Sequence, residues 1–225
     1  MIRKIYHGSD KIIEQPQFGM GKAYNDYGLG FYCTDSSDMA KEWGVGREKD
    51  GYANSYELNC DGLKILDLND KVYNILHWLT ILLQNREFDM PSALASEAKE
   101  YLIENFSVNY MDYDAIIGYR ADDSYFSFAQ DFINGTISYR QLNNAMHLGK
   151  LGQQFVLKSR TAFERIRFSG YEIARSKEWY PKKMMRDRCA RRDYFDVERN
   201  RRQKGDLYIV QIMDEGMRSN DSRLR

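Results

Sequence analysis

Cysteine, histidine and long apolar runs are scarce in this 225-residue sequence, and each shortage excludes a class of protein. The three cysteines, Cys33, Cys60 and Cys189, form no Cys-x-x-Cys pair and no disulfide framework, which fits a reducing compartment. No stretch reaches about 18 consecutive apolar residues, so no membrane span is expected. The first residues also lack the apolar core of a signal peptide. These absences predict a cytoplasmic protein that does not enter a membrane.

The few histidines and the balanced charge exclude further classes. His7, His77 and His147 are far apart and form no His-x-x-x-His pair, so no metal site is expected, and His77 is interpreted as structural. No Gly-x-Ser-x-Gly occurs, so a Ser-His-Asp hydrolase would lack its nucleophile elbow. Lys plus Arg and Asp plus Glu both number 33, so the net charge argues neither for nor against nucleic-acid binding.

The most informative stretch runs from Tyr27 to Trp43. It opens with Gly28 and Gly30, continues through a short aromatic run over 31–34, and then has an Asp-Ser-Ser cluster. Glycine permits positive φ and close approach of a ligand, and aromatic and β-branched residues favour a strand. The Asp-Ser-Ser cluster predicts a helix cap, so the order is loop, strand, cap and helix. Its aromatic residues either stack on a flat ligand or belong to an ordinary core.

A second element lies near the beginning of the chain. Residues 2–6 predict a first strand, which ends in His7-Gly8-Ser9. An imidazole beside an open glycine backbone suits a ligand, although a strand-end histidine can equally cap a turn. The polar segment from Lys11 to Asp26 predicts a mobile surface loop, of the kind that often serves as a lid.

The rest of the chain alternates strands and helices. A charged cluster, Arg120-Ala121-Asp122-Asp123, follows a buried apolar strand, where it either lines a site or caps the next helix. Arg120, Asp122 and Asp123 are therefore candidate contacts to an acceptor. Periodicity and turn residues predict strands over 51–59, 64–68, 113–119, 153–158 and 167–173, and helices over 36–43, 72–83, 92–105, 125–132, 138–148 and 161–166.

The composition changes near the C-terminus. Between Lys158 and Lys204 sixteen Lys and Arg residues face seven Asp and Glu residues, which predicts one or two basic amphipathic helices. Such a face is either a solvated surface or a binding site for nucleic acid or an acidic protein. The segment 207–213 is ambiguous, and 219–225 is expected to fray. We therefore divide the chain into a domain over 1–173 and a basic, mostly helical extension over 174–225.

Taken together, His7-Gly8-Ser9 and the segment 28–35 resemble the ADP-ribosyltransferase superfamily. The likeness is to its His-Tyr-Glu branch, which includes the poly(ADP-ribose) polymerases and diphtheria-type toxins. In that branch an aromatic residue follows the triad tyrosine by eleven residues, as Trp43 follows Tyr32 here. The third triad position opens a later strand, where this chain has Gln154. The likeness covers roughly residues 2–170 and extends to a bacterial family of unknown function whose members are often toxins paired with a small partner.

The resemblance implies a fold and a set of roles. The expected fold is α+β, with a split mixed or antiparallel sheet and flanking helices. His7 would bond the 2′-hydroxyl of the adenosine ribose of NAD, the backbone of Gly8 would hold the nicotinamide carboxamide, and Ser9 would touch a ribose. Tyr32 and Trp43 would sandwich the nicotinamide ring.

Two further residues complete the implied site. Gln154 would lie beside the nicotinamide ribose and act with His7 and Tyr32 as the catalytic set, and Tyr27 would contact the cofactor. A neutral glutamine stabilises a cationic ribose less than a glutamate does. Members of the superfamily that lack the glutamate tend to transfer a single ADP-ribose, so the resemblance implies mono-transfer or an inactive fold. Ala40 replaces a serine that polymerases place near the carboxamide.

Three functions therefore remain open. The first is a mono-ADP-ribosyltransferase that uses NAD as co-substrate, a bacterial toxin or defence effector with a protein or nucleic-acid acceptor and a small antitoxin partner. The second is a module of the same fold that binds NAD or ADP-ribose without turnover. The third is an interaction protein that acts through its basic C-terminal helices.

Overall fold

The computed structural model describes residues 1–121, 123–148 and 152–224. Its strands are β1 Ile2–Ser9, β2 Phe31–Cys33, β3 Gly51–Asn59, β4 Ile65–Asp67, β5 Ala115–Tyr119, β6 Gln153–Leu157 and β7 Ile166–Ala174. Its helices are α1 Ser37–Gly44, α2 Ile75–Asn85, α3 Ala93–Phe106, α4 Asp123–Ile133, α5 Tyr139–Ala145, α6 Arg160–Glu164, α7 Ser176–Asp193 and α8 Ile209–Asp214. Two short 3-10 turns, Tyr110–Asp112 and Ser222–Leu224, and a π-helical turn, Tyr194–Arg199, complete the described elements.

The strands form two sheets that meet along one seam. One sheet has the order β1-β3-β7 and is antiparallel, and the other has the order β2-β6-β5-β4, in which only the β4–β5 pair is parallel. Tyr6 of β1 and Thr34, just after β2, exchange two backbone hydrogen bonds of 2.8 and 2.9 Å, which joins the edges of the two sheets. The predicted α+β class, with a split mixed and antiparallel sheet, is confirmed.

Strand β1 is longer than the sequence predicted. The expected strand ended at Tyr6, but His7, Gly8 and Ser9 continue it and pair with residues 54, 53 and 52 of β3. The reason is that β3 is nine residues long and offers a partner along its whole length. His7-Gly8-Ser9 therefore forms the end of β1, as expected, whereas His7 does not cap a turn, because its Nδ1 bonds the Tyr32 carbonyl.

Helix caps place the helices close to where the sequence predicted them. Ser36 caps α1 by accepting a hydrogen bond from the Met39 N–H. Asn74 caps α2, and the Nδ1 of His77 accepts from the Asn74 N–H at 3.0 Å, so His77 has a structural role as expected. The prediction that this helix starts at Val72 was wrong, because Val72 is exposed and precedes the cap.

The C-terminal segment packs onto the rest of the chain. Ala190, Tyr194, Ile209 and Ile212 belong to the same hydrophobic cluster as the buried residues of α2 to α5. The tail does not fray as expected, because Leu224 is fully buried and its carbonyl accepts a hydrogen bond from the Tyr139 hydroxyl at 2.7 Å. The ambiguous segment 207–213 contains all of α8 except its last residue, Asp214. No helix within the described ranges combines the length and the apolar character that a bilayer crossing needs.

The predicted basic helix is present as α7, but it is not amphipathic in the expected sense. Only Ser176, Trp179 and Ala190 of its 18 residues are buried, so it lacks a continuous apolar stripe. Part of the polar surface of α7 faces a cavity and does not pack against the core, so that side of the helix needs no apolar residues.

Candidate functional site

A cavity of about 760 Å³ lies at the seam between the two sheets. This volume is in the range of small-molecule and cofactor sites. Strands β1, β2 and β6, the end of α1, the loop between β1 and β2, and one side of α7 contribute to its walls. The lining residues include His7, Gly8, Asp26, Phe31, Tyr32, Trp43, Arg86, Arg120, Gln154, Lys183, Arg186, Asp187 and Arg191.

His7 presents a neutral imidazole to this cavity. Its Nδ1 lies 2.7 Å from the carbonyl oxygen of Tyr32, and because a carbonyl can only accept, Nδ1 carries the proton. Burial lowers the pKa of His7, so the ring is neutral at pH 7, and its Nε2 keeps a lone pair. The ring stacks on Phe31 with 4.4 Å between centroids. His7 therefore offers a fixed hydrogen-bond acceptor, suited to a hydroxyl of a ligand.

Gly8 is required by packing between β1 and α1. A Cβ built on it would lie 2.0 Å from the carbonyl oxygen of Ala40 and 2.6 Å from Cβ of Trp43. Helix α1 can therefore approach β1 only because residue 8 has no side chain. Ala40 is fully buried beneath Gly8, and the close approach brings Trp43 to the cavity.

Tyr32 is held rigidly by its hydroxyl group. The hydroxyl donates to the Gly28 carbonyl at 2.5 Å and accepts from the Tyr27 N–H at 3.0 Å, and burial raises its pKa. Because both bonds tie the loop around Gly28 to β2, the phenol is an anchor, and what it offers a ligand is its ring.

Trp43 also lines the cavity, but one face of its ring is already covered. The guanidinium of Arg120 lies 4.2 Å from the centroid of its ring, which is a cation–π contact. Its buried indole Nε1 has no hydrogen-bond partner among the residues described. The structure thus brings both predicted sandwich residues, Tyr32 and Trp43, to one cavity and adds an arginine to the aromatic wall.

Gln154 is 6% exposed and lies in β6 opposite Gly118 of β5. Its Nε2 donates to Oδ2 of Asp26 at 3.3 Å, which fixes the orientation of the amide. Its Oε1 is buried and finds no hydrogen-bond partner in the described part of the chain. A buried acceptor without a donor is costly, so Oε1 has the capacity for one further hydrogen bond.

Asp26 is the centre of a buried polar network that the sequence did not predict. Its Oδ1 accepts from Arg86 at 2.8 Å, and its Oδ2 accepts from the Ala121 N–H at 2.8 Å as well as from Gln154. Burial raises the pKa of Asp26 more than the Ala121 N–H and Arg86 lower it. The carboxylate therefore links the loop before β2, the end of α2 and β6 at the floor of the cavity.

Two predicted cofactor contacts do not line the cavity. The side chain of Tyr27 is fully buried, and its hydroxyl donates to the Tyr119 carbonyl at 2.7 Å. The hydroxyl of Ser9 accepts from the Lys11 N–H at 3.2 Å. Tyr27 fills the core of the four-stranded sheet, because Gly118 of β5 leaves space for its phenol.

The predicted acceptor contacts are only partly described. Arg120 lines the cavity and stacks on Trp43. Asp122 lies outside the described residues, and of Asp123 only its place at the beginning of α4 is described. Residues 11–26 form no strand or helix, as expected, and several of them line the cavity.

Sequence reasoning missed the residues that charge this cavity. Arg86, Lys183, Arg186 and Arg191 all line it, and no motif marked them. Only the spacing of 183, 187 and 191, four residues apart, could have placed three of the side chains of α7 on one face. No group of three potential metal ligands is present in the ranges that the structure describes.

The fold and the cavity define an α+β protein with a ligand-sized site at the seam of two sheets. A family model with the description "Protein of unknown function (DUF3990)" matches residues 3–168, and the chain belongs to this family. No curated protein and no solved structure matches the chain. The matched range includes His7, Tyr32 and Gln154, whereas α7 follows it.

Proposed function

We propose that this protein is an NAD-dependent mono-ADP-ribosyltransferase. The observation that carries the proposal is that His7, Tyr32 and Gln154, from three distant segments, line one cavity. Each offers a group that the chemistry uses: a neutral ring acceptor, an immobilised aromatic ring and a carbonyl oxygen that lacks a donor. In this proposal the acceptor is a protein or a nucleic acid, and the protein is a bacterial toxin or defence effector with a small antitoxin partner.

The reaction breaks the bond between nicotinamide and its ribose. The electron pair of that bond leaves with nicotinamide, the acceptor nucleophile bonds to the freed carbon, and the nucleophile loses its proton. Positive charge develops on the ribose, so an enzyme gains rate by holding the ring, excluding water and placing oxygen acceptors near the sugar.

The cavity fits these requirements in three respects. The unpaired Oε1 of Gln154 and the Nε2 of His7 suit ribose hydroxyls, which are donors. The rings of Tyr32 and Trp43 suit the flat nicotinamide. Asp26 lies behind Gln154 and brings a carboxylate near the site, although its charge is shared with Arg86.

A binding module without turnover is the second candidate. The observation in its favour is that the residue expected beside the ribose, Gln154, is neutral. The nearby carboxylate of Asp26 already accepts hydrogen bonds from three donors. This arrangement binds a neutral ribose well and stabilises a cationic one less.

The test is incubation of the wild type, His7→Ala and His147→Ala with labelled NAD and cell lysate. Label is followed in the protein and nucleic-acid fractions, free nicotinamide is measured, and NAD binding is measured by calorimetry. His147 is the matched control, because its exposed ring bonds Asn143 and Tyr119 and does not line the cavity. We expect transfer with the wild type and His147→Ala and a loss of at least tenfold with His7→Ala.

Each alternative gives a different result. Binding of NAD without nicotinamide release would replace the enzyme with the binding module. No NAD binding by the wild type would refute both and favour an interaction protein. Circular dichroism of His7→Ala is required alongside, because the histidine also bonds Tyr32 and stacks on Phe31.

A further inference from the structure

The cavity is strongly cationic although the chain is neutral. Lysine and arginine equal aspartate and glutamate over the whole sequence, at 33 each. The cavity, in contrast, is lined by six basic side chains and two carboxylates, which are Lys22, Arg86, Arg120, Lys183, Arg186 and Arg191 against Asp26 and Asp187. Charges of one sign that line a concave site raise the local concentration of ligands of the opposite sign.

Half of these basic side chains come from one face of α7. Lys183, Asp187 and Arg191 follow one another at intervals of four residues, and Arg186 lies three residues after Lys183, so all four share a side of the helix. The Nε of Arg191 donates to Asp187 at 3.0 Å. Arg186 donates twice to Glu42 of α1, at 2.8 and 2.6 Å, which ties α7 to the helix that carries Trp43.

The cavity is therefore chemically divided. His7, Phe31, Tyr32 and Trp43 make an aromatic wall on β1, β2 and α1, whereas α7 makes a cationic wall. A ligand that fits both has a flat ring joined to an anionic group. Guanidinium groups bind phosphate oxygens with paired donors, so phosphate is the anion that this wall suits best.

We propose that the cationic face of α7, above all Arg191 and Lys183, binds the phosphate groups of the dinucleotide. This inference deepens the proposed function and rests on it. It gives the basic C-terminal helix a role in a site whose other parts lie within residues 3–168, the range that the family model covers. It also assigns the helix to the small ligand instead of a nucleic-acid partner.

The test compares ligands with and without phosphate. Binding of NAD, ADP-ribose and nicotinamide riboside is measured by calorimetry for the wild type, Lys183→Gln, Arg191→Gln and Arg192→Gln. Arg192 is the matched control, because it lies on the same helix, is exposed and does not line the cavity. Removing one charged hydrogen-bond donor is expected to weaken NAD and ADP-ribose about tenfold to a hundredfold. Nicotinamide riboside should bind equally to all four proteins, and Arg191→Lys should recover part of the affinity.

The outcomes separate this inference from the proposed function. If the wild type binds NAD and both cavity variants bind it equally well, the role of α7 is refuted and the proposed function stands. If Arg191→Gln keeps NAD affinity but loses transfer to a nucleic-acid fraction, α7 serves the acceptor and the inference is also wrong. If the wild type does not bind NAD, both fall together.

Discussion

Replacing Gln154 with glutamate tests the network at the floor of the cavity. The resemblance places a glutamate here, but in this structure the Nε2 of Gln154 donates to Oδ2 of Asp26 at 3.3 Å. Glutamate has no donor when ionised, so Gln154→Glu would replace this hydrogen bond with two carboxylates in contact. We expect the variant to be less stable, because Asp26 already provides the buried negative charge.

The size of the effect follows from the distance. Two unit charges about 3.3 Å apart repel by about 5 kcal/mol at an effective dielectric of about 20. The two carboxyls can avoid this repulsion if one of them stays protonated. Holding that proton costs about 1.4 kcal/mol for each pH unit above the ordinary pKa of a carboxyl, or about 4 kcal/mol at pH 7. The nearby Arg86 reduces the repulsion. We therefore expect a loss of about 2 to 4 kcal/mol at pH 7, well above the cost of one lost neutral hydrogen bond.

The loss depends on pH in a defined direction. Repulsion raises the pKa of the carboxyl pair in the folded state, so the folded protein holds a proton that the unfolded chain has released. The free energy of unfolding of Gln154→Glu then falls as the pH rises. Relative to the wild type, the variant should be little destabilised near pH 4 and most destabilised above pH 7.

Urea unfolding at pH 4.5, 6 and 7.5, followed by circular dichroism, measures this. Gln153→Glu is the control, because Gln153 is the exposed neighbour in the same strand and its Nε2 donates to Asn69. That variant gains the same charge away from Asp26 and should stay within about 0.5 kcal/mol of the wild type. Equal stability of the two variants at pH 7.5 would refute the proposed pairing of Asp26 with Gln154.

Two further predictions concern backbone approach and a buried lysine. Gly8→Ala should lower stability by about 1 to 3 kcal/mol in urea unfolding, because its Cβ would lie 2.0 Å from the Ala40 carbonyl oxygen; a variant as stable as the wild type would show that α1 can move away. Burial lowers the pKa of Lys158 to about 8, so above pH 8 the unfolded chain holds a proton that the folded one has lost, and this lysine should add stability as the pH rises towards 10. Subtracting the stability curve of Lys158→Met should reveal that rise, and identical slopes from pH 8 to 10 would contradict it.

Local patterns predicted most of the elements. Strand β3 was predicted with the bounds that the structure has, and the Asp-Ser-Ser cluster correctly indicated a cap before α1. Such features depend on neighbouring residues, which the sequence displays directly. The length of β1 was underestimated because it depends on β3, and a strand continues as long as a distant partner continues.

Contacts across long sequence separations leave no local pattern in the sequence. Asp26 and Gln154 are 128 residues apart, and nothing near either residue indicates the other. Tyr27 was predicted to contact the cofactor as part of the implied site, but its phenol turns into the core. The loop that contains Tyr27 was correctly predicted to lie at the cavity, but the direction of the Tyr27 side chain was not. Successive side chains in a loop have no fixed period, so the sequence does not indicate which way each one points.

Helix α7 shows why a polar helix is ambiguous from sequence alone. A helix that faces water on all sides and a helix that turns a charged face into a cavity have the same composition, since neither carries an apolar stripe. The structure shows that α7 is of the second kind, because two contacts hold it against the rest of the chain. Arg186 donates a hydrogen bond to Glu42, and Trp179 packs against Val45 and Ala174. A helix fixed at both places holds its basic face at one position over the cavity. That fixed position makes Arg191 a better candidate for binding a phosphate than an equally charged residue on a free surface, because less side-chain freedom is lost on binding.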